Sequence, residues 1–294
     1  MLLSARADDR EGIMIEHKHF ADHFEYVEIF NASARAKIAL QGAHLFHYER
    51  VGEDPLLWLS KKSLFKTGKA IRGGVPVCWP WFGKNPADRE LPQHGFARTS
   101  VWNLLEVKEI DGHTTEVVLQ LLPSAGSLQL WPRKFELLLT ITVGRELVLL
   151  LTTKNCDAQA FEITAALHSY FAVENVEKVH VEGLADKSYF DSVTGEECKQ
   201  QGDITVYKEV DRIYRKVDYP VTLYDQTRTI HVDAQGSSSV VVWNPWEDKC
   251  VAMADMEDDA YKTMLCIETA NAPGNAIQLA PGEEHTLTSI VSWD

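Results

Sequence analysis

Two short segments of this chain each place one titratable side chain in an otherwise apolar, strand-like stretch. Ala-Ala-Leu-His-Ser-Tyr-Phe at 165–171 is centred on His168, and Met-Leu-Cys-Ile-Glu-Thr-Ala at 264–270 is centred on Glu268. Burial of an imidazole or a carboxyl is costly without a polar partner, and it shifts the pKa of either group. An acid and a base in such surroundings suit proton-transfer catalysis, although both residues could equally be structural groups of a sheet.

A segment rich in glycine, proline and tryptophan adds a candidate anion-binding group. Residues 70–83 read Ala-Ile-Arg-Gly-Gly-Val-Pro-Val-Cys-Trp-Pro-Trp-Phe-Gly. Within it, an arginine beside a Gly-Gly turn is often part of a surface ion pair, but the planar fork of Arg72 also suits two-pronged binding of an oxyanion. Trp79, Trp81 and Phe82 have flat faces of the kind that pack on a sugar ring, and core packing is an equal alternative for the two tryptophans.

Two further polar clusters differ in what they predict. Residues 91–98, Leu-Pro-Gln-His-Gly-Phe-Ala-Arg, crowd Gln93, His94 and Arg98 around a glycine. A lone histidine is usually a structural group, whereas such a cluster also suits a binding site, and its spacing alone assigns no roles. The acidic run at 255–259 lacks the glycine and the spacing of a calcium loop. We interpret that run as a solvated turn or the start of a helix.

The elements that must position these groups are mostly strands, and two hairpins are the clearest of them. One hairpin is predicted over 101–122, where Asp111 and Gly112 suit a type I′ turn. The other is predicted over 135–153, where Gly144 stands first in the turn, as type II′ prefers. The apolar residues of this second hairpin are continuous enough for burial on both faces.

Further strand candidates follow along the chain, with few helical signals between them. They span 24–30, 36–49, 161–167, 179–184, 221–224, 228–233, 239–243, 264–268 and 286–293. Helical turns are predicted only at 56–66 and 255–264. Without internal repeats or linkers, this pattern predicts an all-β fold, a single large antiparallel β-sandwich over 1–294 with few short helices.

Charge and composition argue against several functions. The net charge of −14 disfavours general affinity for nucleic acid or for an anionic membrane. No run of 18 apolar residues is present, and the N-terminus becomes acidic too early for a signal peptide. The five cysteines are scattered and never form Cys-x-x-Cys, which indicates reduced thiols in a cytoplasmic protein rather than disulfides or a zinc site.

Five segments occur in the order of one protein family. They are Ile-Arg-Gly-Gly-Val-Pro-Val-Cys-Trp-Pro-Trp-Phe-Gly, His-Gly-Phe-Ala-Arg, Ala-Leu-His-Ser-Tyr-Phe, Val-Asp-Arg-Ile-Tyr and Cys-Ile-Glu-Thr-Ala. Over roughly 25–292 the chain resembles the hexose-6-phosphate mutarotases, the glucose-6-phosphate 1-epimerase branch of the aldose 1-epimerase family. The resemblance implies a galactose-mutarotase-like β-sandwich (a supersandwich) with an open sugar cleft. Leu167 stands where the free-sugar branch typically has Asn, which favours the phosphosugar branch.

The resemblance also implies a role for each candidate residue. His168 matches the general acid, acting at the ring oxygen, and Glu268 matches the general base, acting at O1. The positions that match substrate-binding residues of the family are Arg72, Gln93, His94, Arg98 and Asp211. The two arginines among them suit a clamp on a C6 phosphate.

The implied reaction interconverts the α and β anomers of a hexose 6-phosphate, with glucose 6-phosphate as the expected substrate. One proton acceptor near O1 and one proton donor near the ring oxygen suffice, so we expect no cofactor and no metal. We also expect a monomer that binds a small phosphosugar and neither nucleic acid nor membrane. A non-catalytic carbohydrate-binding protein, a mutarotase of free aldohexoses and a glycoside hydrolase with a carboxylate pair remain alternatives.

Overall fold

Strands make up most of the computed structural model, which describes residues 14–20, 24–85 and 87–294. Numbered in chain order, they are β1 (Met14–His19), β2 (Glu25–Phe30), β3 (Ala34–Ala39), β4 (His44–Arg50), β5 (Val77–Cys78), β6 (Asn103–Asp111), β7 (Thr114–Leu121), β8 (Phe135–Val143), β9 (Leu147–Asn155), β10 (Phe161–Ile163), β11 (Ala165–Leu167), β12 (Tyr170–Ala172), β13 (His180–Glu182), β14 (Ser188–Asp191), β15 (Glu196–Lys199), β16 (Ile204–Thr205), β17 (Val210–Arg215), β18 (Val221–Tyr224), β19 (Thr229–Gln235), β20 (Ser239–Asn244), β21 (Met264–Asn271), β22 (Ile277–Leu279) and β23 (Glu284–Trp293). The helices are α1 (Ala125–Leu130), α2 (Trp246–Ala252) and short 3-10 helices at Ala97–Thr99, Val176–Lys178 and Ala260–Thr263. The N-terminal residues on which the signal-peptide prediction depends, 1–10, lie outside the described residues.

The strands form two large sheets and two small ones, and the paired strands are antiparallel. The nine-stranded sheet has the order β16-β13-β18-β19-β23-β9-β8-β7-β6, and the eight-stranded sheet has the order β15-β14-β17-β20-β21-β11-β5, with β12 also paired to β21. A four-stranded sheet, β1-β2-β3-β4, and the pair β10-β22 complete the architecture. The all-β antiparallel prediction is confirmed. Within the described ranges, no helix has the length and apolar character needed to cross a membrane.

Alternation along the central strands separates a core face from a site face in the eight-stranded sheet. Leu265 and Ile267 of β21 join the main core, as does Val242 of the neighbouring β20. The same core includes Leu139 of β8, so the two large sheets pack against each other through it. Because side chains alternate along a strand, Glu268 lies on the face opposite to Ile267.

Both predicted hairpins are present, but their turns differ from the prediction. The first turn is centred one residue later than expected, and Gly112 does not adopt a positive φ. In the second hairpin Val143 pairs with Leu147, so the turn has three residues, and Gly144 does not adopt a positive φ either. The hydroxyl of Tyr48 donates to the carbonyl of Gly144, which shows that a distant strand contacts this turn. The type I′ and type II′ predictions are therefore wrong, since tertiary contacts outweigh local turn preference here.

Three other local predictions also differ from the structure. The helix predicted at 255–264 is only the 3-10 helix Ala260–Thr263, and α2 precedes it. The segment 56–66 contains turns and isolated bridges rather than a helix. The runs over 135–153 are buried on one face and half-buried on the other, not buried on both.

Candidate active site

The two titratable residues picked from the sequence lie directly opposite each other, Glu268 on β21 and His168 between the neighbouring strands β11 and β12. In the pairing of β21 with β11, Leu167 faces Thr269, and in its pairing with β12, Tyr170 faces Cys266. One continuous register joins these two pairs, and it places His168 opposite Glu268. The distance from His168 Nε2 to Glu268 Oε1 is 3.3 Å.

A local break in the sheet ladder releases His168 from ordinary strand pairing. Its backbone N–H donates to the carbonyl of Pro76 (3.0 Å), and the N–H of Ser169 donates to the carbonyl of Leu167 (3.0 Å). β11 therefore ends at Leu167 and β12 begins at Tyr170. The interruption falls only on the strand that carries the imidazole, whereas β21 runs unbroken beneath it.

Burial favours the uncharged form of both members of the His168–Glu268 pair. Their residues are only 7% and 1% exposed, respectively. Burial, and then the nearby charge of Asp211, raises the pKa of Glu268 well above its ordinary value, whereas the charge of Arg98 opposes the rise. Burial lowers the pKa of His168, and His94, Arg98 and Arg72 lower it further. Glu268 Oε2 and His168 Nδ1 are buried without a hydrogen-bond partner among the described residues, so polar atoms of a ligand could pair with them.

Aromatic rings hold the imidazole in place. The ring of Tyr170 stacks on that of His168 at 4.7 Å and an interplanar angle of 8°. Trp243 meets both rings edge-on at 5.9 Å, and Trp58 stacks on Tyr170 at 5.9 Å. Tyr170 was not among the predicted site residues, although its position two residues after His168 is a signal that could have found it.

The other tryptophans singled out from the sequence belong to the core. Trp79 is fully buried, and its indole N–H donates to Thr153 Oγ1 at 3.0 Å. Trp81 is 4% exposed, and its indole N–H donates to the carbonyl of Pro92 at 2.8 Å. The core alternative is therefore the observed one for both residues, whereas Phe82 is only partly buried and contacts His94.

His94 lies beside the pair as a neutral hydrogen-bond donor. Its Nδ1 accepts from the backbone N–H of Gly83 (3.2 Å), and its own backbone N–H donates to the carbonyl of Gly83 (2.7 Å). Burial, with the charges of Arg98 and Arg72, lowers the pKa of His94 to about 3. A neutral imidazole that accepts at Nδ1 carries its proton on Nε2. The ring centroids of His94 and His168 are 5.9 Å apart.

Arg98 lies next to Gln93, in the loop that also carries His94. One guanidinium N–H of Arg98 donates to the backbone carbonyl of Gln93 at 2.8 Å. The charge of Arg98 lowers the pKa of His94, His168 and Glu268, so it acts on all three groups. The structure thus brings Arg98 close to the pair, whereas the exposed Gln93 contributes a backbone carbonyl.

Arg72 is held from two sides. Its Nε and Nη2 both lie 3.1 Å from Oδ2 of Asp255, and its Nη1 donates to the Tyr170 hydroxyl at 3.0 Å. The sequence interpretation of the acidic run as a solvated turn missed this ion pair, which joins residues 183 positions apart. No pattern in the sequence signals such a contact.

Asp211 lies on β17, two strands away from β21 in the same sheet. It faces Trp243 in the pairing of β17 with β20, and Trp243 in turn faces Cys266 of β21. Lys249 Nζ lies 3.8 Å from Asp211 Oδ2. Burial raises the pKa of Asp211, and the charge of Lys249 opposes that rise. Asp211 therefore shares the site face with Glu268, and its charge acts on that residue.

Potential metal ligands gather elsewhere in the described structure. His180, Glu182 and Asp203 offer ligand atoms within 4.8 Å of one another, but the first two belong to β13 of the nine-stranded sheet and the exposed Asp203 directly precedes β16 of the same sheet. A cavity of about 780 Å³ is lined by Trp58 and Arg228, among others, and does not include the His168–Glu268 pair. The expectation that the reaction needs neither metal nor cofactor remains a prediction.

The fold and the chemistry of this face define a class of protein. The fold is an antiparallel β-sandwich, and on one of its sheets a buried histidine and a buried glutamate lie in contact, an arrangement suited to acid–base chemistry. A family profile described as aldose 1-epimerase matches residues 25–292. The chain belongs to the aldose 1-epimerase family.

Individual proteins of known name are similar to this chain over most of its length. A Salmonella typhimurium protein, whose name carries glucose-6-phosphate 1-epimerase as a proposed activity, is 39% identical over 271 residues, which cover 88% of each chain. An Escherichia coli K12 protein with the same proposed activity is 39% identical, over 85% of this chain and 84% of its own. A crystal structure from Salmonella typhimurium, titled as that of a proposed mutarotase, has a TM-score of 0.89 at 34% identity and covers 99% of this chain and 96% of its own. The predicted mutarotase-like sandwich is thereby confirmed.

Proposed function

We propose that this epimerase interconverts the α and β anomers of a hexose 6-phosphate, glucose 6-phosphate above all. Glu268 acts as the general base at O1, and His168 acts as the general acid at the ring oxygen. Arg98 and Arg72 bind the phosphate. The observation that carries this proposal is the buried contact of 3.3 Å between His168 Nε2 and Glu268 Oε1.

The geometry of the sugar explains why such a close pair is useful. O1 and the ring oxygen are both bonded to C1, so the two oxygens that exchange protons are near neighbours. A base and an acid on adjacent strands can reach both oxygens without a shift of the substrate between the two proton transfers. A glycoside hydrolase, in contrast, needs two carboxyls that flank the bond it cleaves.

The proton transfers of the reaction balance with Glu268 and His168 alone. In ring opening, Glu268 takes the proton of the O1 hydroxyl while His168 gives one to the ring oxygen, which leaves an aldehyde, a neutral carboxylic acid and a neutral imidazole. After rotation about C1–C2, the carboxylic acid returns its proton to the carbonyl oxygen, and the imidazole takes one from the attacking hydroxyl. Burial favours the neutral pair, which is the state that closes the ring.

A phosphate at C6 would supply binding energy far from the reacting carbon. Two arginines beside the pair in a protein of net charge −14 favour an anionic substrate at this face. Charge-assisted hydrogen bonds to a phosphate would orient the ring against Glu268 and His168. The proposed activity in the names of the relatives supports glucose 6-phosphate as the substrate.

A mutarotase of free aldohexoses is the second candidate, because Asp255 already offsets the charge of Arg72. A non-catalytic carbohydrate-binding protein is less well supported, since binding alone does not need a buried acid–base pair with unpaired polar atoms.

NMR measurement of exchange between anomers, for glucose 6-phosphate and for glucose, distinguishes the three candidates: the hexose-6-phosphate epimerase, the mutarotase of free sugars and the non-catalytic carbohydrate-binding protein. We expect exchange above the uncatalysed rate for both, with kcat/KM at least tenfold higher for the phosphate. Equal kcat/KM would favour the free-sugar mutarotase, and binding without exchange would contradict catalysis.

A further inference from the structure

Asp255 is a charged residue at the candidate site to which no role has been assigned. It belongs to the loop between α2 and the 3-10 helix Ala260–Thr263. Its Oδ2 accepts a hydrogen bond from Nε of Arg72 at 3.1 Å and lies 3.1 Å from Nη2 in an ion pair. The side chains of Arg72 and Asp255 are 21% and 28% exposed, so the contact is partly shielded from solvent.

The contacts of Arg72 account for only part of its hydrogen-bonding capacity. A guanidinium has five N–H donors. Asp255 accepts from Nε and the Tyr170 hydroxyl accepts from Nη1, so three N–H groups, on Nη1 and Nη2, have no hydrogen-bond partner among the described residues. The Nε/Nη2 edge is thus closed by Asp255, and donors on Nη1 and Nη2 remain for a planar, two-pronged contact with an oxyanion.

The loop that carries Asp255 is anchored at Asp255 itself and at the two residues that follow it. The Ser60 hydroxyl lies 2.7 Å from the carbonyl of Asp255 and 2.8 Å from Oε2 of Glu257. Met256, the next residue along, is fully buried in a cluster that includes Tyr170. The carboxylate of Asp255 is therefore presented to Arg72 by an anchored backbone, not by a free surface loop.

Arg72 links this loop to the His168–Glu268 pair. The same Tyr170 hydroxyl that accepts from Arg72 belongs to the ring that stacks on His168. A rotation of the guanidinium away from Tyr170 would thus change both the anion-binding edge and the support of the imidazole.

We propose that Asp255 is a positioning residue of the substrate site, whose carboxylate fixes the Arg72 guanidinium so that the remaining N–H donors on Nη1 and Nη2 receive the phosphate of the sugar. The identity of the anion rests on the proposed function. Asp255 itself touches no substrate atom. It acts by setting the orientation of Arg72.

The test compares Asp255→Ala, Asp255→Asn, Arg72→Ala and the double variant Arg72→Ala/Asp255→Ala with the unaltered protein. Asp258→Asn is the matched control, because Asp258 lies in the same acidic run but pairs with Lys62 at the exposed surface. KM and kcat are measured by NMR for glucose 6-phosphate and glucose. Calorimetry measures the Kd of inorganic phosphate, and thermal unfolding verifies the fold.

Asp255→Ala should raise KM for glucose 6-phosphate by about tenfold, the usual scale of coupling between contacting charged groups, with kcat and the KM for glucose within about twofold. The Kd of phosphate should rise in parallel. Asp255→Asn keeps an acceptor for Arg72 and should change KM less. The double variant should lose no more than Arg72→Ala alone, because Asp255 acts through Arg72.

An unchanged KM in Asp255→Ala, an equal loss on glucose, or multiplied losses in the double variant would overturn the proposal in favour of a merely structural ion pair. Absence of anomer exchange in the unaltered protein would instead refute the proposed function. In that case the Kd of phosphate still decides: weaker binding by Asp255→Ala supports the positioning role, and unchanged or undetectable binding overturns it.

Discussion

Replacement of Glu268 by Gln removes the proposed base but keeps the size and shape of the side chain. The carboxyl is 1% exposed, and its raised pKa means that burial favours the uncharged acid. A neutral amide of the same size can occupy the same space, and one of its N–H groups can pair with Nε2 of His168. We therefore expect the free energy of unfolding to change by less than about 1 kcal/mol.

The catalytic loss should be far larger than the change in stability. A positioned general acid or base typically contributes about 10²–10⁴-fold, which corresponds to about 2.7–5.4 kcal/mol in the activation free energy. No other carboxylate in the described chain contacts His168, and the His94 ring is 5.9 Å from the His168 ring. Glu268→Gln and His168→Asn should each lose that factor in kcat. The double variant should lose little more than either one, because the two groups act as a unit.

The assay is the initial rate at which a pure anomer of glucose 6-phosphate approaches equilibrium, with the uncatalysed rate subtracted. Glu284→Gln is the control, since Glu284 pairs with Lys154 on the exposed part of β23 and should retain full activity. A folded Glu268→Gln protein within threefold of the unaltered rate would refute the assignment of the base. Independent losses that multiply in the double variant would refute the paired mechanism.

Three further predictions concern pH, phosphate and metal. Because the pKa of His168 is lowered and that of Glu268 is raised, the pair should keep its single exchangeable proton over a wide pH range, so the acid limb of kcat should lie well below pH 6.5 and the alkaline limb well above pH 4.5; an acid limb at or above pH 6.5, or an alkaline limb at or below pH 4.5, would contradict this titration. Arg98→Ala should weaken use of glucose 6-phosphate by about 2–5 kcal/mol in kcat/KM while activity on glucose is little changed; equal losses would make Arg98 a structural residue. Activity should survive exhaustive EDTA treatment, and restoration by a divalent ion after loss would require a different mechanism.

A further prediction concerns stability. It tests, at His44, whether burial lowers the pKa of a histidine, as it does at His168. Burial lowers the pKa of His44 to about 4, and the unfolded chain takes up its proton near pH 6.5. The free energy of unfolding should thus be unaffected above pH 6.5 and fall by about 1.4 kcal/mol per unit between pH 6.5 and 4. His44→Gln, which can still donate to the carbonyl of Gly73, should flatten that slope in urea titrations.

Periodicity predicted which residues share a face, but not which strands are neighbours. The apolar residues that flank Glu268 assign it to the face opposite Ile267 without any knowledge of the fold. Its contact with His168 depends on the placement of β11 beside β21, and on a break in the ladder at 168–169, which no local pattern encodes. The family resemblance supplied that pairing, whereas the residues alone left a structural role equally open.

Predictions from local sequence were wrong where contacts with distant residues determine the conformation. Gly144 suits a tight hairpin turn, yet the observed turn has an extra residue and contacts Tyr48. The run at 255–259 has the composition of a solvated turn, yet Asp255 pairs with Arg72. In both cases the deciding partner lies far away in sequence, so composition within a short window carries no information about it.

The position of Glu268 on the central strand β21 explains how a buried acid can be both costly and useful. All eight residues of β21 are buried, and the strand is paired along its length with β20 on one side and with β11 and β12 on the other. An unpaired carboxyl oxygen there is unfavourable, and the large core that contains Ile267 offsets it. The same packing fixes the separation of Glu268 and His168, because neither strand can move without disrupting that core. Under the proposed function, a pair held in this way would meet the substrate already in position, so the site would be organised during folding rather than in each catalytic cycle.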